Sequence, residues 1–335
     1  MVQHGAHPAG GGDVRGDHQR LVPALRFLFF IGLWVSVASA QPVTRIVVPF
    51  AAGGVQDIVA RSINAELGAA LGRSVIVENR AGAGGTIGAT YVAKSAPDGQ
   101  TLILAGASHT IAGSLYTKLP YHPLQDFTPL AHIGNVDYVL LIAAAVPAKT
   151  VAEFVAYAKA NPGKLNYASA GSGSATHLSM AYFVSLAGID MVHVPFKATG
   201  EAVNEVLAGR AHAVIAANIG ALPFMKDPRV RAIGSTGTQR SKFLPELATI
   251  DESGVPSYAF DSWIGILGPA GIPRGSVDAI NAAVGKLLKD PVILERLDKQ
   301  GVVPQALSPD AFGELLRADF AKMARVVKVS GARID

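Results

Sequence analysis

Three loops rich in glycine and hydroxyl side chains carry most of the chemistry this chain can offer, and each lies where a β-rich run gives way to a helical one. In the first, Pro49 to Asp57 (PFAAGGVQD), Gly53 and Gly54 turn the backbone into a helix N-terminus, where unpaired N–H groups and the helix dipole favour an anion. The same glycines would serve a plain turn equally well, and Asp57 suits the first helical turn whether or not it meets a ligand. The second, Asn79 to Ala89 (NRAGAGGTIGA), fails as a dinucleotide fingerprint: with Gly82 and Gly84 as its first two glycines, the third position holds Ile87. It reads as a strand-to-helix joint, with Arg80 a solvated or lobe-bridging charge. The third, Ser169 to His177 (SAGSGSATH), offers four hydroxyls that could hold a carboxylate with neutral donors. Ser172 or Ser174 with His177 is the hydrolytic alternative, although no serine there has glycine at both minus two and plus two, so the G-x-S-x-G elbow is missing.

These loops need rigid elements on either side. Strand-like RIVVPF (Arg45 to Phe50), SVIVEN (Ser74 to Asn79) and TLILAG (Thr101 to Gly106) alternate with helical stretches at 56–71 and near 86–94. That alternation predicts right-handed βαβ units around a parallel sheet. Leu130 to Ala145 reads as two strand-like runs separated by Gly134-Asn135, a crossover into a second α/β unit. Thr150 to Glu153 is a capping box opening a helix to Asn161. Strands follow at 165–169, 191–196, 213–217 and 230–235. Phe260 to Pro269 reads as another strand pair that crosses back, after which only helices are expected. Val277, Ile280, Ala283, Val284, Leu287 and Leu288 give one of them an apolar face, and Ser308-Pro309 starts another. Amphipathic helices without new strands need an existing sheet to cover. The first lobe is therefore expected to be discontinuous, 42–140 plus 266–335, with 141–265 inserted. In open α/β sheets ligands bind beyond the carboxyl ends of strands, so the loops of both lobes would face one hinged cleft.

Composition narrows the chemistry. With 50% hydrophobic and 16% charged residues, no cysteine and a net charge of +4 without long charge runs, disorder, disulfide scaffolds, thiolate metal sites and nucleic-acid binding are all disfavoured. His109, His122, His132, His177, His193 and His212 show no H-E-x-x-H or other close ligand pairing, so no metal is expected, and no motif asks for a cofactor. Arg20 and Arg26 precede a 14-residue apolar run, Phe27 to Ala40, that ends Ala38-Ser39-Ala40. That is short of the roughly 20 residues a membrane span needs and predicts a secretory signal peptide, with the mature chain starting at Gln41.

The strings IVVPFAAGGVQDIVAR, VIVENRAGAGGTIGA, APDGQTLILA, SLYTKLPYHPLQDFTPL, KLNYASAGSGSATHL, MVHVPFKATGEAV and DSWIGILGPAGIP resemble the tripartite tricarboxylate transporter receptors, the Bug family of periplasmic solute-binding proteins. The resemblance runs from about Val43 to the C-terminus. It implies a two-lobed Venus-flytrap fold, type II-like, each lobe a doubly wound, mostly parallel α/β sheet with flanking helices. It implies a monomeric binding protein, not an enzyme, that captures a small organic carboxylate for the permease subunits of a membrane transporter. By motif it implies ligand contacts from Phe50, Gly53, Gly54, Asp57 and Ser108 on one lobe, and from Ser169, Gly171, Ser172, Thr176, His177, Phe196, Lys197 and Asn218 on the other. The chain departs from the family pattern at Ala217-Asn218, where an Asp-Asn pair is common, and at Ala181, where a Glu is common. Losing those acids favours a ligand with carboxylate, hydroxyl or aromatic parts and no cation. The rival readings are a secreted α/β hydrolase and a ligand-sensing module for a membrane signalling partner.

Overall fold

The computed structural model describes residues 43–334. The expected signal segment, Phe27 to Ala40, lies outside the described residues. In the first sheet β1 (Val43–Val48), β2 (Ser74–Asn79) and β3 (Thr101–Gly106) run parallel in the order β3-β1-β2, connected by α1 (Val55–Leu71) and α2 (Thr86–Ala93). Helix α1 forms because Val55, Val59, Ala60, Ile63 and Leu67 recur at helical spacing, and all five are buried on its sheet-facing side. Helix α3 (Ala107–Leu115) follows β3 without a loop, and β4 (Phe127–Val136) closes this part of the chain.

A single residue, Asp137, separates β4 from β5 (Tyr138–Ala143), which belongs to the second sheet. There follow α4 (Val151–Ala160), β6 (Leu165–Ser169), α5 (Ala175–Ala187), β7 (Met191–Pro195), α6 (Thr199–Leu207), β8 (Ala213–Ala217), the short α7 (Asn218–Ala221) and β9 (Val230–Ser235). The order is β7-β6-β8-β5-β9, with β7, β6 and β8 parallel and β5 antiparallel to both of its neighbours. At α4 the capping box forms with one limb displaced. Thr150 Oγ1 accepts the Glu153 N–H at 3.2 Å, while Glu153 Oε2 accepts the Lys149 N–H, one residue ahead of the cap, at 2.6 Å.

The chain returns through β10 (Ser262–Pro269), antiparallel between β3 and β4, and continues as α8 (Arg274–Leu287), α9 (Pro291–Lys299), β11 (Val302–Pro304) and α10 (Pro309–Ser330). Helix α8 buries Val277, Ile280, Ala283, Val284 and Leu287, and Ser308 caps α10 by accepting the Ala311 N–H at 3.2 Å. Three details differ from the sequence reading. The 130–145 break falls at Asp137, because Gly134 lies inside β4, where the Val303 carbonyl of β11 leaves no room for a side chain. Phe260 to Pro269 holds one strand, not two, since all eight residues of β10 are buried with a neighbour on each side. The C-terminal part also adds β11 to the first sheet as an edge, three residues being too short for a period-two pattern to show. Finally, α10 packs on α3 and β4 of the first sheet's layer and on α5 of the second's, where Ser185 Oγ donates to the Val329 carbonyl at 2.7 Å.

Candidate functional site

The carboxyl ends of β1, β3, β6 and β8 converge on one narrow cleft with a cavity volume of about 30 Å³. It is lined by Phe50, Gly54, Val55, Gln56, Ser108, Tyr138, Ala170, Ser174, Ala175, Thr176, Ala198, Thr199 and Ala217, none of which carries a charge. Helices α1, α3, α5 and α6 all begin at this wall, and the first turn of each exposes backbone N–H groups that no carbonyl of its own helix can reach. Ser262 Oγ takes the Ala107 N–H and Ser108 Oγ the Ala175 N–H, and helix ends beside an uncharged space are a setting that favours an anion.

The loop before α1 is held in shape by Asp57. Its Oδ2 accepts the Gly53 N–H at 2.9 Å, and its Oδ1 accepts from Arg61 Nε and Asn79 Nδ2, each at 2.9 Å. Asn79 Nδ2 also donates to the Phe50 carbonyl at 3.0 Å. Asp57 is buried and faces its own loop, not the cleft. Gly53 takes φ +79°, a left-handed turn that glycine adopts without strain, whereas Gly54 is extended at φ −74° and presents its backbone to the cleft.

Across the cleft Ser174 caps α5 by accepting the His177 N–H at 3.2 Å, and donates its own proton to the Gly171 carbonyl at 2.6 Å. Thr176 Oγ1 accepts the Ala170 N–H at 2.8 Å. The Ala175 N–H donates to Ser108 Oγ at 3.0 Å, tying α5 to α3 across the two sheets and leaving the Ser108 proton for another acceptor. Behind the loop His177 and His193 stack with ring centroids 4.0 Å apart. His177 Nδ1 accepts the Gly173 N–H at 3.2 Å, and Ser169 Oγ bonds His193 Nε2 at 2.6 Å while accepting the Gly171 N–H at 3.1 Å. Burial, reinforced by the neighbouring His193, pushes His177 down to about 3, and burial alone takes His193 to about 4. Both rings are neutral braces. A general base for a serine hydrolase would need the opposite tuning, and the Ser174 proton already points at a carbonyl.

Of the residues singled out by sequence, Phe50, Gly54, Ser108 and Thr176 line the cleft. Gly171, Ser172, Phe196 and Lys197, again with Phe50, line a groove beside it. Gly53, Asp57, Ser169, His177 and Asn218 line neither; all but Gly53 are buried, and they shape the loops from behind. Asn218 sits at the chain crossing, its N–H donating to the Asp137 carbonyl at 2.9 Å and its Nδ2 to Ser241 Oγ at 3.2 Å. Ala217 lines the cleft and Ala181 does not, so only the first of the two missing acids bears on the cleft wall. Arg80 bridges nothing across the cleft: it pairs with Glu78 at 2.6 Å and lies 3.5 Å over the Tyr91 ring. Sequence reasoning missed Gln56, Tyr138, Ser174 and Thr199 as lining residues. A helix-start signal marks Ser174 and Thr199, but Tyr138 reaches the cleft only through the change of sheet at Asp137. Among the described residues no cluster of His, Asp and Glu is arranged to hold a metal, and no helix is long and apolar enough to cross a membrane.

Two mixed α/β sheets that exchange the chain twice and share one cleft at their strand ends define the periplasmic binding protein class. Solved structures agree: BugD, described as a periplasmic binding protein, superposes with a TM-score of 0.81 at 32% identity, over 87% of this chain and 98% of that one. The model of the tripartite tricarboxylate transporter family receptor matches residues 59–332, and the chain belongs to that family of solute-binding receptors. Rpa4515 of R. palustris, solved with adipate, has a TM-score of 0.82 at 32% identity, covering 87% of this chain and 98% of its own. MatC of Rhodopseudomonas palustris, solved with bound malate, has a TM-score of 0.79 at 34% identity, covering 85% of this chain and 98% of its own.

Proposed function

We propose that this protein is an exported, monomeric receptor that captures a small carboxylate between two lobes and delivers it to the permease subunits of a tripartite tricarboxylate-type transporter. The observation that carries this reading is the convergence of four helix N-termini on a cleft lined by uncharged residues. The lobes are the two sheets with their helices, and the hinge is the pair of strand crossings at Asp137 and between Ser235 and Ser262. The open form offers two half-sets of donors, from Val55 and Gln56 with the Ser108 hydroxyl, and from Thr176 with Thr199. A carboxylate satisfies both sets only when they meet, so its preference for the closed arrangement drives the hinge. Adipate and malate on two relatives support a carboxylate ligand. Ala217 on the cleft wall supports a ligand without a cationic group, since no carboxylate lines the cleft to receive one. Export rests on the Phe27 to Ala40 segment and on the periplasmic placing of the family.

A thermal-shift screen of the purified mature chain against carboxylates and free amino acids tests it. A ligand present at a hundred times its Kd stabilises the folded form by about 2.7 kcal/mol, which a melting curve resolves. Carboxylates should raise the melting temperature. Shifts produced by cationic amines alone would overturn the reading.

A further inference from the structure

We infer that the carboxylate this receptor captures is joined to an extended apolar body, which lies in a second chamber beside the helix-lined cleft. This rests on the proposed carboxylate capture and goes on to the part of the ligand that the helix ends do not hold. The chamber has a cavity volume of about 580 Å³, against about 30 Å³ for the cleft. The two share Phe50 and Ala170 as walls and are therefore neighbours, so a ligand anchored in the first would reach the second by passing those side chains. The exposed lining of the chamber is chiefly carbon, supplied by Ala81, Ala83, Phe196 and the Phe50 ring.

Its side chains offer little to a second polar group. Tyr116 has already donated its hydroxyl proton to the Ala83 carbonyl at 2.6 Å, which leaves the Ser172 hydroxyl and the Lys197 ammonium as the side-chain donors on this wall. Lys197 is exposed at the rim, where a cation stays hydrated. A tricarboxylate would therefore bring two further carboxylates into a chamber whose exposed surface is chiefly carbon and whose side chains supply only those two donors, so each would give up much of its hydration. An aromatic or alkyl body has no such penalty. It fills the space by displacing water from carbon surfaces, and each methylene buried there should raise affinity about fourfold. The space is bounded where Gly84 meets the Ser172 loop: a Cβ on Gly84 would stand 2.7 Å from the Ser172 carbonyl oxygen, so the two loops are already in contact.

Calorimetric titration of the mature chain with butyrate, hexanoate, octanoate and 4-phenylbutyrate, with succinate, adipate and citrate as reference arms, tests the inference. Affinity should climb at least tenfold from butyrate to octanoate or 4-phenylbutyrate, and citrate should bind more weakly than either. Ala81→Trp, at an exposed loop position, should erase that climb while butyrate binding persists, and Ala51→Phe narrows the chamber from the neighbouring loop if the first variant does not fold. A flat series with measurable binding of the short acids, a climb that survives both substitutions, or citrate as the tightest ligand would overturn the apolar-body inference and leave carboxylate capture standing. Absence of binding by every acid in all arms would overturn both.

Discussion

Gly53, Gly54 and Asp57 lie within five positions of one loop and do three different things, a distinction that residue type alone does not make. Gly53 supplies the left-handed turn, Gly54 the open backbone, and Asp57 the brace that ties the Gly53 N–H to Arg61 and Asn79. Sequence marked all three as a unit, yet the direction in which a carboxylate faces is set by what packs behind it, and Asn79 lies twenty-two residues away. Asp57→Ala should destabilise the fold by about 1–3 kcal/mol, the range for stripping partners from a buried hydrogen-bonded group, and urea denaturation of the unliganded variant reads that loss directly. The histidines make a second residue-scale prediction. Burial holds His109 at about 4 and His177 at about 3, against 6.5 for an exposed ring. On acidification the unfolded chain binds protons before the folded one does. Stability is therefore complete above about pH 6.5 and falls as pH drops toward 4, by about 1.4 kcal/mol per pH unit for each ring. Urea midpoints at pH 7.5 and pH 5.0 should show the drop, and equal midpoints would contradict the buried, neutral state of both rings.

At the scale of elements, strands of five or six residues and helices with a clear apolar face were readable because their periodicity is local: β2, β3, β6, β8 and β9 span the very residues that pattern predicts. The one-residue joint at Asp137 and the three-residue β11 were not, because their pairing is decided by strands more than a hundred residues distant. The same division runs through the site. The starts of α4 and α10 were legible from their caps at Thr150 and Ser308, but α1, α3 and α6 begin without a side-chain cap, and which helices open on the cleft depends on the sheet order. Thr150→Ala and Ser174→Ala separate the two roles. Each removes an N-cap and should cost about 0.5–2 kcal/mol of stability. Only Ser174→Ala should also weaken carboxylate binding, because Ser174 holds the Gly171 carbonyl and the α5 start that place the Thr176 donors at the cleft, and Thr150 caps a helix that does not reach it. Chemical denaturation beside titration of both variants checks the pair, and equal binding losses would mean that cap stability, not the donor set, governs affinity.

For the whole molecule, the proposed hinge predicts that the two lobes, linked by the strand crossings and bridged by α10, close on a ligand as two bodies. Ligand-saturated protein should have a smaller radius of gyration in small-angle scattering than free protein, and an unchanged radius would indicate a preformed pocket. The central claim is that helix N-termini and hydroxyls hold the anion with no salt bridge. In Gly54→Val the added carbons would crowd the Ala51 carbonyl, which already stands 3.2 Å from where a Cβ would sit, and would push the anion off the α1 amides. Lys197→Ala removes the one cation on the neighbouring rim. Isothermal titration of both folded variants, with the carboxylate that most stabilises the wild-type chain, is the most direct measurement. A hydrogen bond to a charged group contributes about 1.5–3 kcal/mol, so loss of two should weaken Gly54→Val by roughly two to four decades, with Lys197→Ala changed far less. Normal binding by Gly54→Val together with abolished binding by Lys197→Ala would contradict the account and put a salt bridge in its place.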